Sequence, residues 1–545
     1  MMKHPTLIWH LLIGALSGHI AILFNAAIAS RRFSALNALH EGAAGLIALE
    51  MLLVLFLTGA IFYLLSIAGR VVFKSLACAI LVLSAACAYY MVFFNVVIGY
   101  GIIQATLTTD VDLSKEVIGF AIIVFVLVFG VFPAFVISRI RLPDAGRVGR
   151  LAMFAVCIVA GSAVVLAYPH LLHTDAGKQA KTASPLGVVA HSYVPSNWIT
   201  GLALSALNSY EGAARQQNLV NPADQFSYRA STNLDGTYLV VIIGESARYD
   251  RMGILGHSRA NTPEMLKIEN LTAMHATSCN TSTKLSLECM FVRPEAVDDG
   301  GMGGRQTVSE KMVFSVLKKL GFSSELFSMQ GEVWFYNSVE SDYYKHRELI
   351  YAEERNIGKP IDDLALLPEM QESIDRHPQG KHLVILHTKG SHHFYTARYP
   401  RSYAWYTPEC ANNEVPCGAQ ELLNSYDNSI AYTDHFLGQV IEKLQDKKAV
   451  VIYTSDHGES IGENAHLHGA PKQMAPPEQR MVPLVIWASK PFLKEPRNAA
   501  RFAGLHARKD LAVSHENLFD SILGCLGVES GDGGIDQRRN LCREQ

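Results

Sequence analysis

Two cysteines bracket a run of hydroxyls and a lysine in Cys279-Asn-Thr-Ser-Thr-Lys-Leu-Ser-Leu-Glu-Cys289. The passage from polar residues into Lys284, Leu285 and Leu287 predicts a helix start, where unpaired backbone N–H groups suit an anion such as a phosphate in transfer. Thr283 falls at that mouth. A threonine hydroxyl is a poor nucleophile at neutral pH and needs a metal or a base to activate it. Threonine is also an ordinary helix cap, so the rest of the chain must supply the deciding groups.

Three other segments carry such groups. Gly244-Glu245-Ser246, residues 387–393 and Ser455-Asp456-His457-Gly458-Glu459 each follow a short apolar run, and ligands of open α/β sheets bind at the C-terminal ends of strands. One sheet edge would then receive Glu245, His387, His392, Asp456 and His457. His466 and His468 follow in a loop short enough to fold back over it. Two carboxylates and an imidazole form a mixed oxygen and nitrogen set suited to zinc or manganese. With Thr283 as a further ligand, the metal would lower the hydroxyl pKa and solve the activation problem.

These groups need an α/β frame, and its signature begins near residue 236, where short apolar runs alternate with helical patterns. Strands are expected at 238–243, 383–386, 449–453 and 482–487, in a largely parallel sheet. Thr307 and Glu310 read as a capping box for a helix that Gly321 ends. A second helix is expected over 419–443, with Leu422, Tyr426, Ile430, Phe436 and Val440 on its apolar face.

Before residue 170 the chain has a different character. Residues 6–30, 51–68, 75–100, 117–138 and 151–168 contain no Asp, Glu, Lys or Arg, and each is about long enough to cross a bilayer as a helix. Five spans put the termini on opposite sides. Basic residues near the spans favour an inside N-terminus, with seven (Lys3, Arg70, Lys74, Arg139, Arg141, Arg147, Arg150) against Arg31, Arg32 and Lys115. The expected layout is a membrane domain over 1–169, a linker with an interfacial helix over 170–236, and an exported catalytic domain over 237–545. In the linker, residues 195–216 read as a helix carrying Trp198, Ile199, Leu202, Ala206 and Tyr210 largely on one face, suited to the bilayer interface or to packing on the soluble domain. Glu50, at the outer edge of the second span, is expected at the interface, either reaching water or meeting a lipid ammonium.

Six of the nine cysteines lie outside the spans, which fits disulfides in an oxidising compartment. The local pairs Cys279 with Cys289, Cys410 with Cys417 and Cys525 with Cys542 are the simplest of fifteen connectivities. A net charge of −3 without a basic run sets nucleic acid aside.

The segments around Glu245, Thr283, His387–His392 and Asp456–Ser460 resemble the phosphoethanolamine transferases, membrane-anchored members of the alkaline phosphatase and sulfatase superfamily. The likeness extends over essentially the whole chain. Within the family, Asn95-Val-Val-Ile-Gly-Tyr-Gly, Thr108-Thr-Asp-Val-Asp-Leu-Ser-Lys-Glu, Thr283-Lys-Leu-Ser-Leu and Leu386-His-Thr-Lys-Gly-Ser-His resemble the subgroup that modifies the Kdo sugar of lipopolysaccharide.

The resemblance implies one tight zinc site made by Glu245, Thr283, Asp456 and His457, with Thr283 as nucleophile, and leaves a second metal open. It assigns His392 and His468 to substrate phosphate, a second metal or the leaving-group proton. It further implies a phosphatidylethanolamine donor, a lipopolysaccharide acceptor, a monomer in the inner membrane of a Gram-negative cell, and weaker attraction of cationic peptides to the modified surface. Lys284, Lys389, His387 and Glu50 are candidate substrate contacts. Lipid A phosphate or heptose as acceptor, or simple hydrolysis, are the alternatives.

Overall fold

The computed structural model describes residues 5–37, 42–108, 118–144, 146–171, 185–300, 306–357, 362–411, 417–463, 466–473 and 475–544. Lys3, Lys115 and nearly all of the segment after Thr108 lie outside them. Among the described residues, five helices are long and apolar enough to cross a membrane: Thr6–Leu23, Ala43–Ile67, Arg70–Phe93, Phe120–Arg139 and Arg147–Leu171. Each overlaps one of the five expected spans, with shifted ends; the first stops at Leu23 and not at residue 30, and the second starts at Ala43 and not at residue 51. The third stops at Phe93, because Asn95 takes a left-handed conformation (φ 61°) and the chain restarts as a separate helix, Tyr100–Thr108. Val71, Phe132 and Leu166 point outward from the bundle, as lipid-facing side chains would.

Glu50 departs from its expected place at the interface. It is 0% exposed, and its two carboxylate oxygens receive Arg32 in a fork at 2.7 and 2.9 Å, with Tyr168 (3.2 Å) and Tyr193 (2.6 Å) adding hydroxyl donors. Sequence depth along a span gives no sign of a partner on another helix, and that partner leaves no oxygen for a lipid ammonium. Removing one member of a buried pair strands the other charge, at about 3–5 kcal/mol. Glu50→Ala is therefore expected to lower the thermal unfolding midpoint in detergent sharply, whereas a Glu50→Leu, Arg32→Met double variant should recover much of the loss.

The same cluster ties the linker to the bundle. Val188, Val189 and Tyr193 join the membrane core, and the Asn25 side chain bridges both backbone groups of Val194. The helix Ser196–Gln217 follows, and its apolar residues divide. Trp198 is buried and donates to Ser84, while Leu202, Leu207 and Tyr210 (85% exposed) face outward.

The soluble part is built on an eight-stranded sheet in the order Val513–Ser514, Leu271–Thr277, Met481–Ala488, Lys448–Ser455, Thr237–Gly244, His382–His387, Ser323–Ser328 and Tyr343–Lys345. Met481–Ala488 runs against both of its neighbours, and the other pairings are parallel. All four expected strands are present, each longer by one or two residues at either end. Leu239, Val241 and Ile243 face one layer, while Tyr238, Val240 and Ile242 face the other. A sheet covered on both faces needs such unbroken apolar runs.

The helix Ala419–Leu444 lies in the second layer, with the five expected residues of its apolar face buried. The capping box at Thr307 does not form. Thr307–Val308 is a short strand paired with Val297–Asp298, and the helix begins only at Phe314, ending before Gly321 (φ 86°) as expected.

Candidate active site

Sheet register levels the reactive residues. Ile243 pairs with His387 and Gly244 with Ser455, so Glu245 and Asp456 leave their strands side by side at one edge. The helix Thr283–Cys289 brings its first residue to this edge. There the Thr283 hydroxyl lies 3.2 Å from Glu245 Oε2 and 3.2 Å from His457 Nε2. Thr281, the neighbouring hydroxyl, is committed elsewhere, donating to the Ala470 carbonyl at 2.6 Å.

The donor set fits a cation. His457 Nδ1 sits 2.9 Å from the Gly458 carbonyl, which fixes that nitrogen as donor and turns Nε2 toward Glu245 Oε1 (3.3 Å) and Asp456 Oδ2 (3.4 Å). Asp456 Oδ1 accepts from the backbone N–H groups of His457 and Ser246, but the buried Oδ2 has no hydrogen-bond partner among the described residues. Such an orphan is costly unless something positive meets it. The ligand atoms of Glu245, Asp456 and His457 lie within 4.8 Å of one another.

The electrostatics agree. Burial and the neighbouring Glu245 charge push the Asp456 carboxyl well above the usual range, while the two carboxylates, outweighing desolvation, push His457 up to about 10. Protons thus gather where a metal would serve.

His468 and His392 form the outer wall. His468 Nδ1 is 2.7 Å from Glu459 Oε2, and its ring centroid is 4.0 Å from that of His457 and 5.8 Å from that of His392. Burial pushes His392 down to about 4, so it is neutral at physiological pH. Glu459, whose other oxygen accepts from Tyr395 at 3.1 Å, orients His468 and was not singled out from sequence. His466 pairs through its backbone with Ile461 in a short hairpin that carries His468 back over the edge.

His387 is not an open substrate contact. It is fully buried behind Gln330, whose amide nitrogen is 3.3 Å from His387 Nε2, 2.8 Å from Glu245 Oε2 and 3.0 Å from the Thr388 carbonyl. His387 therefore reaches Glu245 through Gln330, a residue that sequence reading missed because the strand that precedes it, Ser323–Ser328, carries no long apolar run. Lys389 contributes its backbone N–H to Asp363 (2.7 Å), as Gly390 does (2.9 Å). Gly390 is obligatory at φ 48°, where a Cβ would fall 2.7 Å from the Glu245 carbonyl.

Lys284 turns toward the membrane segment. Its ammonium donates to Gln104 Oε1 at 2.5 Å and lies 5.5 Å from the centre of the Trp334 ring. Gly101, in the Asn95–Gly101 motif, packs so closely on the nucleophile loop that a Cβ there would sit 3.2 Å from Ser282 Oγ and 3.3 Å from the Gly469 carbonyl. Glu50 takes no part in the site.

Residues 54–181 match the family model for the phosphoethanolamine transferases EptA and EptB, and residues 237–528 match the sulfatase model. The Kdo(2)-lipid A phosphoethanolamine 7''-transferase of Escherichia coli K12 is 44% identical over 96% of this chain and 95% of its own length. The chain belongs to the phosphoethanolamine transferases. The Salmonella typhimurium enzyme of the same name is likewise 44% identical. The integral membrane lipooligosaccharide phosphoethanolamine transferase A of Neisseria meningitidis superposes with a TM-score of 0.82 at 25% identity, covering 98% of this chain and 99% of that one. The transferase fold thus joins five apolar helices to a sulfatase-like soluble domain.

All three expected disulfides form: Cys279–Cys289, Cys410–Cys417 and Cys525–Cys542. The first closes the loop and helix that carry Thr283, and the chain-entropy model gives such a loop ~2 to 3 kcal/mol. Its larger effect is positional. Replacing both cysteines by serine should depress turnover at temperatures where the domain is still folded; parallel losses of melting temperature and activity would refute a local role.

Proposed function

We propose that this transferase moves phosphoethanolamine from phosphatidylethanolamine to the Kdo sugar of lipopolysaccharide through a phosphoethanolamine–Thr283 intermediate. The observation that carries the reading is the Thr283 hydroxyl at a helix start, in contact with Glu245 and His457 and beside the orphan oxygen of Asp456. The acceptor follows that of the Escherichia coli relative, a Kdo(2)-lipid A phosphoethanolamine 7''-transferase. A zinc ion held by Glu245, Thr283, Asp456 and His457 would supply the Lewis acidity that lowers the hydroxyl pKa.

Thr283 Oγ, which has already lost its proton and returns as the same oxyanion at the end of the cycle, attacks phosphorus; a new O–P bond forms, and the bond from phosphorus to the diacylglycerol oxygen breaks. His468, backed by Glu459, gives a proton to the departing oxygen. In the second half the acceptor hydroxyl attacks the same phosphorus, His468 takes its proton, and the Thr283 oxygen leaves. His392, neutral and with its Nδ1–H given to the His393 carbonyl, is left with an unprotonated Nε2, which suits a second metal rather than a phosphate oxygen. Lys284 and Lys389 add cations for an anionic acceptor. Three disulfides fit an oxidising periplasm, and the basic bias beside the spans supports a cytoplasmic N-terminus in the inner membrane.

The test uses full-length protein with phosphatidylethanolamine and two acceptors, lipid A with and without Kdo. Product confined to the Kdo-bearing acceptor is expected. Equal product on both would move the acceptor to lipid A, and free phosphoethanolamine as the main product would favour hydrolysis.

A further inference from the structure

A cavity of about 220 Å³ opens along the side of the nucleophile helix that bears Lys284 and Glu288. Gln306, Lys311 and Trp334 wall it on the catalytic side, and Asn208 and its neighbours in the helix Ser196–Gln217 close it on the other. None of Glu245, His392, Asp456, His457 or His468 lines it, so it adjoins the catalytic edge through the nucleophile helix, one residue along the chain from Thr283, without sharing those walls.

From this chamber we infer that the acidic sugar of the acceptor is seated beside Lys284, with its apolar ring face on Trp334. This inference rests on the Kdo acceptor proposed above. At 220 Å³ the space is below the ~300–1,000 Å³ of pockets for drug-sized ligands, which suits one sugar ring and excludes a two-chain lipid. The indole is held in place, because Trp334 Nε1 donates to Glu332 Oε2 at 2.5 Å. A fixed aromatic face beside amides and carboxylates is what a sugar needs, with its C–H groups on the ring and its hydroxyls on polar partners.

The charges of the chamber are mixed, since Glu288 and Glu310 line it together with Lys284 and Lys311. Lys311 is bound to Glu340 at 2.6 Å, and Glu310 lies 3.5 Å from Arg293. An ammonium has three N–H donors, and the hydrogen bond from Lys284 to Gln104 uses one, so two are left to meet a carboxylate in the chamber. The helix that closes the chamber also presents Leu202, Leu207 and Tyr210 on its outer side, the surface along which a lipid-linked sugar would arrive.

The experiment separates the two half-reactions in the full chain. In Trp334→Ala, adduct formation from phosphatidylethanolamine should stay within twofold of wild type, while discharge onto Kdo-bearing lipid A should fall at least tenfold through a raised KM. Trp334→Phe should restore most of it. Free Kdo should inhibit discharge in the wild type and lose that effect in Trp334→Ala. Asn208→Trp, which fills the chamber from its other wall, should reproduce the defect if Trp334→Ala folds poorly. Slow adduct formation with normal discharge would hand the chamber to the donor and overturn the inference; unaltered discharge in both filled and emptied chambers would overturn it as well. A wild-type enzyme indifferent to Kdo would instead sink the proposed acceptor, a result read without any variant.

Discussion

Thr283→Ala is expected to form no covalent adduct with phosphatidylethanolamine and to lose transfer altogether. The hydroxyl is the group that meets Glu245 and His457 at 3.2 Å, and Thr281 is tied to the Ala470 carbonyl and so is not free to replace it. Thr283→Ser keeps an oxygen and should retain a fraction of activity. Intact-protein mass after incubation with the donor checks both. An adduct persisting in the Ala variant would move the nucleophile elsewhere, with Ser282 next.

The second large effect belongs to Asp456. Asp456→Asn should lose bound metal and reduce transfer on the order of 100-fold or more, since even outer-shell partners of a metal cost 10–100-fold. The stability outcome differs between the two states. Without metal, the protons gathered at Asp456 and His457 already relieve the buried carboxylate pair, so Asp456→Asn should change the stability of the metal-free protein little. With metal, the wild type gains by binding, about 4 kcal/mol at a thousandfold excess over Kd. A chelator should therefore lower the melting temperature of the wild type and leave Asp456→Asn unmoved. A chelator response that is the same in both would mean that Asp456 holds no ion.

The sequence exposed the site where chemistry and strand pattern coincide. Glu245, Asp456 and His457 could be placed together because unbroken apolar runs precede them and register then does the rest. Gln330 and the Ser323–Ser328 strand were hidden because a buried strand need not be apolar when Ser324 and Glu325 find polar partners, Asp342 and Arg376. The Thr307 and Glu310 pattern satisfied a local rule for helix starts, but pairing with Val297–Asp298 is a non-local contact that no local rule contains. Glu50 failed for the same reason, because its partners Tyr168 and Tyr193 lie more than a hundred residues away.

The contact of Gly101 with Ser282 and the Gly469 carbonyl is so tight that even a methyl group would push its neighbours aside between the helix Tyr100–Thr108 and the nucleophile loop. On the reading proposed above, a catalytic head seated that closely would hold Thr283 at one height above the lipid surface, and donor and acceptor would each be drawn up to it in turn. Such an enzyme measures its substrates by how far their reacting groups stand off the bilayer, a ruler that a detached soluble fragment would not possess.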